Sequence, residues 1–177
     1  MGSRRMTRLG IAGLAAHVFF ELGAGVGMPL ASIVGPSRAA LLWAATAGSA
    51  WQRAGRSPHD RLFVLINGFG LAAVTAHLAG WPTRRSRLGL PWLRECEGLG
   101  PPLMRYYNPI LYLSLAACAA GLVRENRGAP RKLALVPLAL VPFLAAAQHA
   151  EHRRLKRIAA DDPAWWNRRL GGLSDAE

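Results

Sequence analysis

Three features of this sequence predict an all-helical bundle that crosses a membrane about five times. Hydrophobic residues make up 51% of its 177 positions and fall into runs long enough to span hydrocarbon. The formal charge of +12 sits at the flanks of those runs and not within them. Short connections rich in Pro, Gly and Arg separate the runs, which makes consecutive helices antiparallel neighbours.

Five segments approach the ~20 residues a spanning helix needs: Leu9–Val34, Pro36–Gln52, Leu62–Trp81, Pro109–Val123 and Leu133–His149. Arg4, Arg5 and Arg8 precede the first, and Arg53, Arg56 and Arg61 separate the second from the third. Arg124, Arg127, Arg131 and Lys132 separate the fourth from the fifth, and Arg153, Arg154, Lys156 and Arg157 follow the last. In a soluble protein this charge would suggest nucleic acid. Confined to the ends of apolar runs, it matches anionic lipid headgroups instead, and no nucleic-acid partner is expected.

The first segment reads as a retained span and not a cleaved leader, because Glu21 interrupts its apolar core and "GMPLAS" lacks a small-x-small pattern. Gly23 and Gly27 form a GxxxG pair on it. "VGPSR" turns the chain, with Pro36 suited to the first position of the second helix. "RAGRSPHDR" makes the next turn, and Asp60 is a candidate cap for the third helix. In "YYNPILY", Asn108 reads as the cap and Pro109 as the first residue of the fourth helix. Ending at Val123, that helix would be only about 22 Å long. The preceding "GLPWLRECEGLGPPLMRYY" therefore reads as a re-entrant or interfacial segment. Pro137 and Pro142 predict a kinked fifth helix. Residues 1–152 thus form the transmembrane bundle, and 153–177 a basic amphipathic tail. In that tail Asp162 and Pro163 restart a short helix and Trp165–Trp166 anchor it at headgroup level.

The expected location is the cell membrane, as a multi-pass protein. Orientation is left open by the positive-inside rule: ten Lys and Arg fall on the amino-terminal side and twelve on the other, though the dense tail favours the second side as cytoplasmic. Cys96 and Cys118 have no CxxC spacing and are expected as unpaired thiols. No P-loop, GxSxG or HExxH pattern appears, and no cofactor is expected.

Ionisable groups are costly inside a membrane, so their positions are informative. His17 and Glu21 lie one turn apart near mid-membrane, and Asn67 and His77 lie on the third span. Antiparallel topology brings His77, Glu97, Tyr107, Asn108, His149, Glu151 and His152 to one side, above Glu21. This predicts a polar funnel with His17 and Glu21 at its floor. Each member also has a plain role: Glu21 bonding His17, His77 at an interface, the aromatics in a belt, the carboxy-terminal cluster as a solvated helix end.

A carboxyl desolvated in a low-dielectric pocket stays protonated at neutral pH and can donate to an alkene, epoxide or carbonyl. The leading expectation is therefore an enzyme acting on a lipid or isoprenoid by acid–base chemistry, of cyclase or isomerase type. Glu21, His17, Glu97 and His149 are its catalytic candidates, and Asn108, Tyr107, Tyr112, His77 and Asn67 line the substrate. A second expectation is a non-enzymatic membrane subunit or small proton-coupled transporter, which at this size would assemble as a homo-oligomer. The third is a metal-dependent enzyme. No metal is expected on the leading reading, but His149 and His152 offer two imidazoles on one face, with His77, His17, Glu21 or Glu151 to complete a shell. The expected partners are membrane lipids and a hydrophobic small-molecule substrate.

Overall fold

A computed structural model describes residues 4–56 and 59–171, and it is almost entirely helical. Ser57 and Pro58, in the turn expected over 53–61, and the end of the expected tail, 172–177, lie outside the described residues.

Helix α1 (Arg5–Ala24) ends earlier than the first apolar run does. Gly25 stops it in the left-handed conformation (φ 81), Gly27 follows at φ 88, and glycine alone adopts such angles freely. The remainder of the run forms the single turn α2 (Ala31–Val34). Of the GxxxG pair, Gly23 faces open space, while Gly27, in the turn after α1, is closely approached by the Leu155 side chain. Along α1 itself the close approach falls at Gly10 and Gly13, where an added Cβ would collide with Cys118 and Ser114. This lets α1 lie flush against α5 (Pro101–Arg124).

Helix α3 (Pro36–Arg56) starts at Pro36 as the sequence predicts and packs on α1 and α2. Helix α4 (Asp60–Gly80) packs on α5, α1 and the last helices. Asp60 does not cap it. Its carboxylate binds Arg4 (2.5 Å) and the Gly128 amide (2.7 Å). Nearby, both Glu125 oxygens accept from the start of α1: Met6 N–H at 2.8 Å, Thr7 N–H at 2.9 Å and the Thr7 hydroxyl at 2.9 Å. A carboxylate in that position satisfies otherwise orphaned amides and suits the helix dipole. One end of the bundle is closed by these contacts.

The fourth helix does not begin at Asn108. It begins at Pro101, after Gly100, and runs through Pro109 for 24 residues, about 36 Å. Prolines 101 and 102 fit the first turn, where no amide donor is needed. Upstream, the segment expected to be re-entrant or interfacial forms an antiparallel hairpin, β1 (Thr83–Arg85) with β2 (Pro91–Leu93), followed by a Cys96–Leu99 bridge. Pro137 and Pro142 break the last segment into a 3-10 turn (Arg131–Ala134), α6 (Leu135–Leu138) and α7 (Val141–Asp161).

No helix restarts at Asp162–Pro163. The chain turns back onto the end of α1, where Gly27 N–H donates to Trp166 O (2.8 Å) and Arg169 N–H to Gly25 O (3.0 Å). Among the described residues, three stretches, Asp60–Gly80, Pro101–Arg124 and Arg131–Asp161, are long and apolar enough to cross a membrane. Cys96 and Cys118 are separate, buried thiols.

Candidate functional site

Opposite the Arg4–Asp60 end, three helices place four ionisable or phenolic side chains at the same point. His17 and Glu21 come from α1, His77 from α4 and Tyr107 from α5, and all four are buried. The Tyr107 hydroxyl donates to Glu21 Oε1. His77 Nε2 lies 3.7 Å from that same oxygen. The His77 ring is oriented from behind: Nδ1 lies 2.8 Å from Ala73 O and 2.9 Å from Gln148 Nε2, which turns Nε2 toward Glu21. The rings of His17 and His77 meet edge to face at 5.4 Å, and Tyr107 lies 6.4 and 6.1 Å from them. Two polar atoms in the cluster, His17 Nδ1 and Glu21 Oε2, have no hydrogen-bond partner among the described residues.

The hairpin brings a second carboxylate. Glu97 is half-buried and sits at φ 51, a left-handed conformation that costs a non-glycine residue about 1–2 kcal/mol. Burial and the nearby Glu21 carboxylate push its carboxyl up to about 8, with Glu151 adding to the rise and His77 opposing it. Burial likewise pushes the Cys96 thiol well up, with Glu97 and Glu21 contributing.

His17, His77 and Glu97 face a cavity of about 580 Å³. Its long walls are apolar, with Ile11 and Leu14 of α1, Trp43 and Ala47 of α3, and Ile66 and Phe69 of α4 among them. Val136 and Leu140 line the α6–α7 side, and like Leu30, Ile33 and Phe69 around the cavity they keep exposed surface, so the cavity is open on the side where α3 faces the last helices. From Leu65 to His77 the α4 wall is about 18 Å long. Gln148, Glu151, His152 and Arg154 line the polar end. There Glu151 accepts from the Ser32 amide (2.9 Å) and hydroxyl (2.5 Å), and Arg154 joins both residues, tying α2 to α7.

Of the residues expected at the site, Glu21, His17, His77, Tyr107 and Glu97 are brought together. His149 is not among them: its Nε2 contacts Gly80 O (2.8 Å) and its ring packs at a tilt against Trp81, 4.5 Å between centroids. His152 reaches the cavity but packs against the same tryptophan. Asn108 clamps the hairpin, and Tyr112 donates to Pro91 O and stacks on Trp92. Asn67 lies at the opposite end, on Thr7 (3.0 Å) and Phe63 O (2.8 Å). Gln148, beside the His77 ring at 2.9 Å, was not anticipated, although it alone breaks the apolar run before His149 with a polar group.

The arrangement offers two imidazoles and two carboxylates at the head of an apolar groove that opens sideways. No protein-family model, curated protein or solved structure matches this chain.

Proposed function

We propose that the protein is an integral membrane enzyme acting on a lipid or isoprenoid by carboxylate and histidine acid–base chemistry, of isomerase or cyclase type. On this reading α1 and α3 cross the membrane beside the three more apolar stretches, giving five spans. The observation that carries it is the cavity: an apolar, laterally open groove of about 580 Å³ ending on His17, His77 and Glu97. Such a shape suits a chain that enters from the bilayer and presents one functional group to polar residues. Glu97 faces that group and transfers the proton. His17 and His77 flank it, while Glu21 and Tyr107 stand behind His77 and fix its polarity. Glu97's strained backbone fits this role, since such strain concentrates at active sites.

Transport finds less support. Between this cluster and the Thr7–Asn67–Asn126 group at the other end, the cavity walls are the apolar Ile11, Leu14 and Ile66, not a polar path.

The test is lipid retention and turnover. Protein purified in mild detergent should carry a hydrophobic small molecule extractable by solvent and identifiable by mass spectrometry. Ala47→Trp, which fills the groove from α3, should lose it while folding normally. Glu97→Gln should retain it, yet leave the lipid profile of producing cells as it is without the protein. Equal retention by wild type and Ala47→Trp would sink the groove as a binding site.

A further inference from the structure

The buried cluster behind the cavity has an imbalance that proton chemistry alone does not account for. Glu21 Oε1 is engaged by Tyr107, but Oε2 has no partner, in a side chain only 1% exposed. His17, 5% exposed, leaves Nδ1 without a partner as well. His77 has Nδ1 against Ala73 O and Gln148, which leaves Nε2 directed into the same space, a ligand when the ring proton is on Nδ1. The donor atoms of His17, Glu21 and His77 all lie within 4.8 Å of one another.

We infer that His17, Glu21 and His77 hold a divalent transition-metal ion of the zinc class. Two imidazoles and one carboxylate are a sufficient protein shell for such an ion when the fourth position is left to water or substrate. The neighbouring contacts match what metal ligands need. A histidine ligand gives its second N–H to a backbone carbonyl, as His77 does to Ala73, and a ligating carboxylate takes a hydrogen bond on its other oxygen, as Glu21 does from Tyr107. An ion about 2 Å from each donor separates tetrahedral donors by about 3.3 Å, so the present spread closes with side-chain movements on the order of 1 Å. The open position faces the groove, since His17 and His77 both line it. A second grouping, His77 with Cys96 and Glu97, shares His77 but is less enclosed, because Glu97 is only half-buried. With the ion in the first set, Glu97 stays free as the carboxyl beside a metal-bound group.

This goes beyond the lipid reading and stands or falls separately. Protein purified through a tag without histidines should contain about one zinc-class ion per chain by elemental analysis. After chelation it should bind Co²⁺ and develop visible d–d absorption. Glu21→Gln should weaken Co²⁺ binding by 100-fold or more. Tyr107→Phe, which keeps all three ligands and removes only the donor to Glu21, should weaken it by about 10-fold. His59→Gln, a histidine at the far end of the bundle, should bind as wild type does. Folded wild type that takes up neither Zn²⁺ nor Co²⁺ overturns the inference, as does unchanged affinity in Glu21→Gln. If Glu21→Gln does not fold, Tyr107→Phe decides, and wild-type affinity there overturns it. Lipid retention on the metal-free protein, compared with Ala47→Trp, reports on the groove independently.

Discussion

Asn108 separates two accounts of how the site is held together. β2 is one edge of a two-stranded hairpin, so the backbone groups of Leu93 that face away from β1 have no strand to pair with. Asn108 supplies the missing amide. Leu93 N–H donates to Asn108 Oδ1 (2.9 Å), and Asn108 Nδ2 donates to Leu93 O (3.1 Å) and Met104 O (2.9 Å). Leu93 and Asn108 are both fully buried. Asn108→Leu keeps the volume and removes all three bonds. At about 1 kcal/mol net for each, with two backbone groups of Leu93 left buried and unpaired, the loss is about 3 kcal/mol or more. For a chain of this size that lowers the thermal midpoint by about 6–12 °C. The measurement is thermal unfolding in detergent, paired with limited trypsin digestion between Arg84 and Arg94. The variant should melt earlier and be cut faster in the hairpin. A midpoint within about 2 °C of wild type, with unchanged digestion, would refute the clamp and return Asn108 to the substrate-orienting role its sequence position suggested.

Two further expectations follow from other contacts. Glu125→Ala removes three hydrogen bonds to the first turn of α1 and should cost about 2–3 kcal/mol in the same unfolding assay, whereas Glu125→Gln, which can still accept, should cost less. Trp165 is 61% exposed while Trp166 packs against the core, so brominated interfacial lipid should quench fluorescence in Trp166→Phe but much less in Trp165→Phe; equal quenching would remove Trp165 as the anchor.

Much of the bundle could be read from hydrophobic runs, because helix existence follows from length and apolarity. Boundaries could not. Asn108–Pro109 looks like a helix start by its residue types, but the double proline at 101–102 starts the helix earlier and Asn108 is taken up by the hairpin. The Gly23–Gly27 spacing looked like a packing motif because a period of four is visible in sequence, while the stop imposed by Gly25 depends on a backbone angle that is not. The gathering of His17, Glu21, His77, Glu97 and Tyr107 followed from antiparallel topology alone. That logic sorts side chains to an end of the bundle, but not around each helix axis, so it could not separate Glu97 from His149, which turns to Gly80 and Trp81.

The spacing of His17 and Glu21 invites the view that they satisfy each other. Their partners argue otherwise. Glu125, at the closed end of the bundle, shows what a structural carboxylate does here: both oxygens are occupied by the amides and hydroxyl it stabilises. Glu21 spends one oxygen on a tyrosine from another helix and leaves the second buried without a partner, beside a histidine nitrogen in the same condition. Each such orphan costs about 1–3 kcal/mol, and apolar replacements of similar shape would remove the cost without loss to the fold. The bundle brings two histidines and a carboxylate from two helices to one buried point and leaves one atom each of His17 and Glu21 without a partner among the described residues, which is the pattern the proposed metal site would satisfy.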